Sequence, residues 1–589
     1  MFYIVLLGLI GHVMASEMIE AIDVKADKEY SDFFYGSSES YSEPQLEKSA
    51  TPLLGSRLDQ TSGVISTQAG GPGSTTSYFI RGTESRHVGF TIDGLKMNDP
   101  SNTERFFDSA FLTTPFLKSA EVYKGPQSVL FGSDALGGLV DMKSRKGENA
   151  PEGRLNLSGG SFGTVSSSLG KDWATQNHRG TLTWSDFHTD GISRLNRKRF
   201  NAKEKDSADI TQFSSSSEHN WKNKWQTDFL VSYLHGKNEL DGNSDDNSYD
   251  HSKNDQYLAQ QKTHYEINHS TAISLRNGLN RHQRFITTLG SGEQDYQGNL
   301  KQNELLMKKE SKNYSILSGF SFDSESFTTE KVRKDISLQS IFAQSALKFN
   351  ELSLQLGGRL DHHTLYGNFH TGSSGIKYKN LSLQYSQGFK APSLYQLYGP
   401  NFGNYIVGNK ELVPERNHAT ELKWETKNDF SSLNMALFQN NLSNLIVYTS
   451  QGYKNQGKFT SEGLEISAKF KKEKYEVNPH FTYQQFKHQQ SPVLRRPLNQ
   501  FQTSFAFFPQ ENLELFLKLI KSGARKDLDT NGKVVKLNGH ETIDLGWRLT
   551  KERYDLGMQI LNVLNREYED LFGFSVMPRS VFINLGYRF

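Results

Sequence analysis

The chain has 589 residues, of which 35% are hydrophobic and 22% charged, a balance that excludes a disordered chain. It contains no cysteine, which excludes disulfides, thiolate metal sites and thiol catalysis. Acidic and basic residues nearly cancel to a net charge of +2, so nothing indicates a nucleic-acid partner. No stretch after the N-terminus approaches about 18 consecutive apolar residues, so transmembrane helices are not expected.

The first 15 residues have the pattern of a signal peptide. Residues 2–10 form an apolar run that is too short to span a bilayer, and Val13 and Ala15 are small residues at the positions that precede a cleavage site. We therefore predict that residues 1–15 direct export and are removed. No Lys or Arg precedes the apolar run, which leaves open whether Met1 is the true start.

The segment that follows, residues 20–26, alternates apolar and charged residues. Ile22, Val24 and Ala26 alternate with Asp23 and Lys25. Such a segment can add as a strand to the edge of another protein's sheet. The alternative is an ordinary flexible N-terminus of the mature protein.

Residues 30–146 are predicted to form a small α+β domain. Residues 45–60 have a helix-like composition, whereas 77–93 and 118–142 have the character of short strands joined by glycine-rich turns.

Residues 150–589 show the two-residue periodicity of β-strands. Near the C-terminus, Val581, Ile583 and Leu585 fall on one face, and Phe582 and Asn584 fall on the other. Residues 351–360 and 381–389 alternate in the same way. A soluble β-sandwich or propeller would alternate too, but no repeat is present and the chain ends on the aromatic Phe589.

Length then indicates the architecture. At roughly 20 residues per strand and connection, this region provides about 22 strands, within the range of membrane barrels. The lumen of so large a barrel is too wide for its own side chains to fill. The predicted fold is therefore an all-β transmembrane barrel of about 22 antiparallel strands, with the N-terminal α+β domain as a plug in the lumen.

Two motifs carry a family resemblance. Residues 78–83 read YFIRGT and are followed at 91–94 by TIDG, while residues 121–138 read EVYKGPQSVLFGSDALGG. Both motifs, in this order and upstream of a β-rich region, resemble the plug signatures of TonB-dependent outer-membrane receptors. Residues 388–399, GFKAPSLYQLYG, and 408–415, GNKELVPE, are similar to the cobalamin receptors of that family.

The resemblance assigns roles to residues of both N-terminal segments. It makes the segment of residues 20–26 a TonB box, formed by Glu20, Ala21, Ile22, Asp23, Val24, Lys25 and Ala26. The structural plug motif comprises Arg81, Gly82, Asp93, Gly94, Gly125, Pro126, Gly132, Gly137 and Gly138. We expect Arg81 to pair with carboxylates of the barrel or the plug, because its planar fork suits bidentate ion pairs.

The resemblance also implies a function in the outer membrane of a Gram-negative cell. The expected role is uptake of a scarce small molecule, driven by TonB and its inner-membrane energising complex, by a monomeric receptor surrounded by outer-membrane lipid. Cobalamin is the first expectation for the substrate and a ferric siderophore is the main alternative. Haem receptors of this family carry a histidine in the region that corresponds to residues 393–411. That region of this chain contains no histidine, so haem is disfavoured as the substrate.

Two other classes of function fit less well. A passive porin would need neither plug nor TonB box. An enzyme would need a catalytic constellation, and the 17 histidines are scattered without a motif around them. No enzymatic activity and no obligatory cofactor are therefore expected.

Calcium is a further hypothesis, because cobalamin receptors hold this ion with aspartates in their outer loops. The corresponding region offers Asp206, Asp209, Asp241, Asp245 and Asp246, followed by Asp250. Carboxylate oxygens suit calcium, but the alternative is an acidic loop exposed to water.

Overall fold

The computed structural model describes residues 33–147, 152–221, 224–241, 246, 249–289, 292–401, 407–489 and 491–589. The predicted signal peptide of residues 1–15, the TonB box of residues 20–26 and Asp245 lie outside these residues. No described helix is long and apolar enough to cross a membrane.

The N-terminal domain is built from short elements around a mixed sheet. Its strands are β1 (Ser38–Ser42), β2 (Val64–Gln68), β3 (Thr76–Ile80), β4 (Val88–Ile92), β5 (Leu95–Lys96), β6 (Leu117–Lys124) and β7 (Gly138–Ser144). Its helices are α1 (Glu43–Glu47), α2 (Gly55–Leu58) and α3 (Ser128–Phe131), with single 3-10 turns at Ser85–His87 and Ser109–Phe111. The sheet order is β1-β6-β7-β4-β5, in which β4 and β7 are parallel.

The helix-like composition of residues 45–60 corresponds to two short helices, α1 and α2, and not to one longer helix. Pro52 lies between them and has no backbone N–H to donate, so a continuous helix cannot run through this point.

The remaining strands form a closed barrel with small hairpins in its loops. The strands that precede the first hairpin are β8 (Gly153–Gly160), β9 (Thr164–Ala174), β10 (His178–Thr189), β11 (Ala208–Asn220), β12 (Trp225–Glu239), β13 (His251–Asn268), β14 (Thr271–Thr288), β15 (Gly292–Glu310), β16 (Tyr314–Thr329), β17 (Arg333–Phe349), β18 (Leu352–His363), β19 (Gly367–Tyr378), β20 (Leu381–Lys390), β21 (Glu415–Lys427) and β22 (Ser431–Ser443). The strands that follow are β25 (Lys458–Lys472), β26 (Tyr475–His488), β27 (Asn499–Gln510), β28 (Leu513–Ser522), β31 (His540–Lys551), β32 (Tyr554–Leu561) and β33 (Ser580–Arg588). The loop hairpins pair β23 (Ile446–Thr449) with β24 (Gly452–Asn455) and β29 (Arg525–Leu528) with β30 (Val534–Leu537), and the loops also hold α4 (Arg197–Phe200) and α5 (Leu394–Tyr398).

The barrel closes where its last strand meets its first. Strand β33 pairs antiparallel with β8, and the backbone of Phe589 exchanges two hydrogen bonds with Gly153, at 2.6 and 2.9 Å. The closed order contains 22 strands, so the prediction of a barrel of about 22 antiparallel strands is confirmed.

Side chains alternate between the lumen and the outer surface, as the two-residue periodicity predicts. On β18, Leu356 and Leu360 are 57% and 61% exposed on the outer face, whereas Gln355 and Arg359 are buried on the inner face. On β33, Ile583 faces outward and Phe582 is buried inside. Apolar residues therefore face the lipid and polar residues face the lumen, which is the pattern of a membrane barrel.

The two ends of the barrel differ. Most connections at one end are turns of two to four residues, such as 175–177, 379–380 and 473–474, whereas connections such as 190–207, 391–414 and 562–579 at the other end are long. Short turns face the periplasm in outer-membrane barrels and long loops face the outside. The plug motif and the candidate loop residues can therefore be placed relative to the membrane.

The N-terminal domain fills the lumen and packs on one part of the wall. Its core residues Ile80, Phe90 and Val140 belong to one apolar cluster that also includes Phe187 of β10 and Ile210 of β11. A second cluster joins Phe131 to residues of β15, β16 and β17. The prediction of a plug inside the barrel is confirmed.

Candidate functional site

Arg81 of the plug motif is seated against two carboxylates of the barrel wall. Its Nη1 donates to Glu421 Oε2 at 2.8 Å, and its Nε and Nη2 donate to the two oxygens of Glu465 at 3.0 Å each. Lys124 of the plug adds a contact of 3.2 Å to Glu465. All four side chains are buried, so the sequence motif forms a charge-balanced joint between the plug and strands β21 and β25.

A second buried joint begins five residues later in the chain. Arg86 Nη2 donates to Glu415 Oε1 at 3.1 Å, and His87 Nε2 lies 3.0 Å from Glu415 Oε2. The backbone N–H of Glu84 donates to His87 Nδ1 at 3.1 Å, so Nδ1 carries no proton and Nε2–H is the donor to Glu415. Burial lowers the pKa of His87, although the Glu415 carboxylate acts in the opposite direction.

A third joint links the end of the plug motif to residues 389–392, FKAP, which we call the FKAP segment. Asp134 Oδ1 accepts from Arg105 Nη2 at 2.6 Å and from Lys390 Nζ at 2.8 Å, and Arg105 also binds Glu325 on β16. Burial alone would raise the pKa of Asp134, but Arg105 and Lys390 outweigh it and hold the pKa well below its usual range. Motif residues that are far apart in sequence thus meet at the plug–barrel contact.

The glycines of the motif allow the plug to approach the wall closely. Gly82 has a φ of +76°, and a Cβ there would lie 2.1 Å from the ring of Phe486. Gly94 has a φ of +83°, and its Cβ would lie 2.5 Å from the guanidinium of Arg276. Any side chain at either position would be both strained and without space.

The other motif residues shape the plug itself. Asp93 Oδ1 accepts from the backbone N–H of Ser144 at 3.1 Å and so ties the β4–β5 turn to the end of β7. Gly125 and Pro126 lie in the β6–α3 turn, and Gly132 follows α3 beside Arg359. Gly137 immediately precedes β7 beside Thr83, and Gly138 begins β7 against the Tyr123 carbonyl. Among these glycines, a Cβ at Gly132, Gly137 or Gly138 would meet neighbouring protein atoms at less than 3 Å, whereas Gly125 faces open space and is distinguished by its φ of +90°.

The outer loops bring three carboxylates together. One oxygen from each of Glu204, Asp206 and Asp241 lies within 4.8 Å of the others. Asp206 Oδ2 accepts from the backbone N–H of Arg194 at 2.6 Å, but its Oδ1 is buried without a hydrogen-bond partner. Burial and the neighbouring Asp241 raise the pKa of Asp206 to about 7. Burial and the charges of Asp241 and Asp246 likewise raise the pKa of Glu204 to about 7.

The structure changes the set of aspartates that the sequence suggested. Asp209 is not in the cluster, because it lies on the outward face of β11, where its Oδ1 is 2.6 Å from His188 Nδ1. Asp246 is not one of the three clustered carboxylates, but its Oδ2 accepts from the backbone N–H groups of Lys203 and Glu204 and so helps to position Glu204. Asp250 instead accepts from the backbone N–H of Leu289. Glu204 was missed, although an acidic residue two positions before Asp206 was a visible signal.

Tyrosines gather in the outer loops on another side of the mouth. This tyrosine cluster comprises Tyr296, Tyr366, Tyr395, Tyr398, Tyr448 and Tyr453, packed around the apolar residues of α5 and the β23–β24 hairpin. Lys334 and Lys410 lie 5.2 and 5.8 Å from the ring centre of Tyr398, and Arg284 lies 5.4 Å from that of Tyr296. Aromatic rings with adjacent cations can hold a large, partly aromatic anion.

An open gap separates the plug from part of the wall. This one-sided gap has a volume of about 860 Å³ and lies between residues 37–76 of the plug and the wall from β21 to β33. Its lining includes Glu514 near the periplasmic turns and Asn562 and Tyr568 near the outer loops. The plug therefore adheres closely to one side of the barrel and loosely to the other.

Comparison with known proteins agrees with this architecture. The family model described as TonB dependent receptor-like, beta-barrel matches residues 153–563, and that of the TonB-dependent Receptor Plug Domain matches residues 34–139. The vitamin B12 transporter BtuB of Vibrio cholerae is 22% identical over 574 residues, which cover 92% of this chain and 91% of that protein. The BtuB of Vibrio vulnificus is 22% identical over 438 residues, covering 69% of this chain and 67% of that protein.

Solved structures share the fold at low identity. The siderophore receptor PirA from Acinetobacter baumannii superposes with a TM-score of 0.80 at 15% identity, covering 94% of this chain and 98% of that one. The ferric-catecholate import receptor Fiu from E. coli K12 superposes with a TM-score of 0.78 at 15% identity, covering 95% and 97%. Because the barrel model alone matches more than half of the sequence, the chain belongs to the TonB-dependent receptors of the outer membrane.

Proposed function

We propose that this receptor imports a scarce nutrient with energy delivered by TonB, and that the nutrient is cobalamin. The observation that carries the proposal is the occupied lumen: three buried ionic joints hold the plug against the barrel. A barrel closed in this way needs work to open, so passive diffusion of a large solute does not fit. The family supplies the candidate source of that work.

The proposed cycle begins at the outer face. Substrate binds the outer loops and the plug apices, and binding releases residues 20–26 into the periplasm. TonB pairs with that segment as an added strand, and main-chain hydrogen bonds carry the force. The plug then yields enough for the substrate to pass.

Cobalamin is favoured by the relatives that match along nearly the whole sequence. Two of them are named vitamin B12 transporters, and one alignment covers 92% of this chain. The FKAP segment, which is similar to that of cobalamin receptors, contacts the plug, because Lys390 Nζ donates to Asp134 Oδ1.

The same proposal includes calcium in the outer loops. Glu204, Asp206 and Asp241 offer hard oxygen ligands at a spacing that suits one cation, and the unpartnered Oδ1 of Asp206 fits a metal contact. A cation there would fasten the β10–β11 loop to the β12–β13 loop. That would order the rim around the substrate.

A ferric siderophore is the second candidate, and the tyrosine cluster favours it. Tyr398 between Lys334 and Lys410 would suit an anionic chelate with aromatic groups better than a neutral corrinoid. Binding measurements on the purified receptor decide between the two. Cobalamin is supported if cyanocobalamin binds and a panel of ferric catecholates and hydroxamates does not, and the reverse pattern would replace it.

Energy coupling is tested with Val24→Pro and the matched control Val24→Ile. Proline removes a backbone donor from the added strand, whereas isoleucine keeps it. We expect Val24→Pro to lose uptake in cells while the purified protein binds substrate normally, and Val24→Ile to retain both. Normal uptake by Val24→Pro would contradict the coupling mechanism.

A further inference from the structure

Arg57 of helix α2 carries a buried guanidinium that has no partner in the described part of the chain. The residue is only 8% exposed, and its Nε and Nη2 are buried without a hydrogen-bond acceptor. It lines the one-sided gap, and Nη1 is the nitrogen left facing that gap. A buried charge without a counter-charge is costly, so Arg57 indicates a counter-ion that comes from solution.

The ionisable groups around Arg57 do not supply that counter-charge. Burial lowers the pKa of Arg57 to about 9; Tyr41 opposes this change, and the guanidinium of Arg548 on β31 reinforces it. Tyr41 is uncharged at neutral pH, because burial raises the pKa of its phenol well above the usual value. Glu514 lies opposite Arg548 in register, but it is already paired with Lys48 at 2.8 Å.

A second cation of the gap belongs to the barrel wall. Lys518 lies on the inner face of β28 and lines the gap, where its ammonium and the guanidinium of Arg57 repel each other. Asp544, opposite Lys518 in register, and Asp59 of the plug attract the ammonium, but neither forms an ion pair with it. The gap thus has a cation on the plug and another on the wall.

The carboxylates that border the gap have donors of their own. Glu425, Glu465, Glu476 and Glu514 form ion pairs with lysines, and Glu39, Asp59 and Asp544 accept hydrogen bonds from hydroxyl or backbone N–H groups. Acidic and basic residues of the lining are nearly equal in number, so an anion would be attracted by Arg57 and Lys518 and not by the gap as a whole.

We propose that the gap binds a small inorganic oxyanion, such as phosphate, between Arg57 of the plug and Lys518 of the wall. A planar guanidinium suits an oxyanion, and the ammonium adds a second charge-assisted hydrogen bond. The bound ion forms a fourth joint between plug and barrel, on the side where the plug adheres loosely. Glu514, near the periplasmic turns, lines the same gap, so this joint forms and breaks with the concentration of the ion in the periplasm.

The first test measures phosphate binding by the full mature receptor in detergent at constant ionic strength. Equilibrium dialysis compares the wild type with Arg57→Gln, Lys518→Gln and the control Lys521→Gln, whose lysine lies on the same strand but on its exposed outer face. We expect about tenfold weaker binding for Arg57→Gln, weaker binding for Lys518→Gln and no change for the control. Equal binding by all four proteins, or no binding by the wild type at millimolar phosphate, would overturn the proposal.

The second test separates ion binding from a purely structural role of Arg57. Phosphate should raise the midpoint temperature of thermal unfolding of the wild type and the control but not that of Arg57→Gln, because a ligand of the native state stabilises it. Without phosphate, Arg57→Gln should unfold at no lower temperature than the wild type, since it removes an uncompensated buried charge. A midpoint lowered equally with and without phosphate would show a structural role only and contradict the proposal.

A further arm identifies the source of the anion. Dimethyl phosphate represents a phosphodiester group of a substrate, whereas inorganic phosphate is the free ion. Binding of dimethyl phosphate without binding of inorganic phosphate would replace the free ion as the occupant and so overturn the proposal. A heat-dependent shift of gel mobility, the same for all four proteins, shows that each barrel is folded.

Discussion

Arg81 shows how a charged side chain is accommodated where burial of a charge is costly. Its guanidinium is buried between Glu421 and Glu465, which lie 340 and 384 positions away in the sequence. The sequence predicted the type of partner, because a guanidinium fork suits carboxylates. It could not identify the partners, because only closure of the barrel brings those two strands against the plug.

Arg81→Ala should loosen the plug strongly. Two buried carboxylates would lose their main counter-charge, and breaking a buried pair in this way costs about 3–5 kcal/mol. We expect a lower midpoint of thermal unfolding in detergent and larger ionic conductance in planar bilayers. Lys379→Ala is the control, because Lys379 and its partner Glu351 are both exposed, and such a surface pair contributes little to stability. Similar effects of both substitutions would contradict the role of the joint.

His87 makes the second joint sensitive to acid. Its folded-state pKa is lowered by burial, so the unfolded chain takes up a proton more readily than the native one. The stabilising effect of a neutral His87 is therefore complete above the unfolded pKa of about 6.5 and is lost as pH falls below it. Protonation would also place a hydrogen on Nδ1 against the N–H of Glu84.

We therefore expect the midpoint temperature of thermal unfolding of the plugged receptor to decrease as the pH is lowered from 7 to 5. His87→Gln should reduce that slope. The control His269→Gln, at a fully exposed histidine in a periplasmic turn, should leave the slope unchanged. A slope that is the same in all three proteins would exclude His87 as its origin.

At the scale of elements, regular strands were the most predictable part and loops the least. The period of two was sufficient to orient β18, β20 and β33, because lipid selects apolar residues on one face of every strand. The loop that carries Glu204 and Asp206 has no such periodicity. Its partner Asp241 comes from a different loop, so no local pattern could have separated Asp206 from the outward-facing Asp209.

The calcium proposal belongs to these two loops. Glu204→Gln combined with Asp241→Asn should abolish calcium uptake measured by calorimetry at millimolar calcium, because two of the three carboxylates are lost. Asp209→Asn, outside the cluster, should bind calcium as the wild type does. Absence of heat in the wild-type titration would remove the proposal altogether.

At the scale of the whole molecule, the architecture was predictable because two independent observations agreed, the length of the β-rich region and the glycine-rich motif upstream of it. The length predicts about 22 strands, and a barrel of that size has a lumen that needs a plug, which the domain with the glycine-rich motif provides. The side on which the plug adheres could not be predicted. It depends on apolar contacts such as those of Ile210 and Phe342, which are individually ordinary inward-facing residues.

The mature polypeptide should fold only with detergent or lipid present. Its outer face exposes apolar side chains on successive strands, and these would associate in plain buffer. We expect light scattering to show aggregates without detergent and a single folded species with it. A monomeric, folded protein in plain buffer would contradict the assignment of the barrel to the membrane.

The one-sided gap means that extraction need not be all-or-none. Residues 37–62, the N-terminal part of the described plug, line this gap on the side of β25 to β32. A pull from the periplasm would therefore have to break the β1–β6 pairing and polar contacts to the wall, such as that of Lys48 with Glu514, but no apolar interface with that side of the barrel. Strands β4, β6 and β7, whose apolar side chains pack on the wall between β10 and β17, can stay in place. Breaking the contacts of this N-terminal segment one after another takes far less force than extracting the whole plug domain at once. The rest of the plug also stays bound to the barrel, so the segment can refold against it.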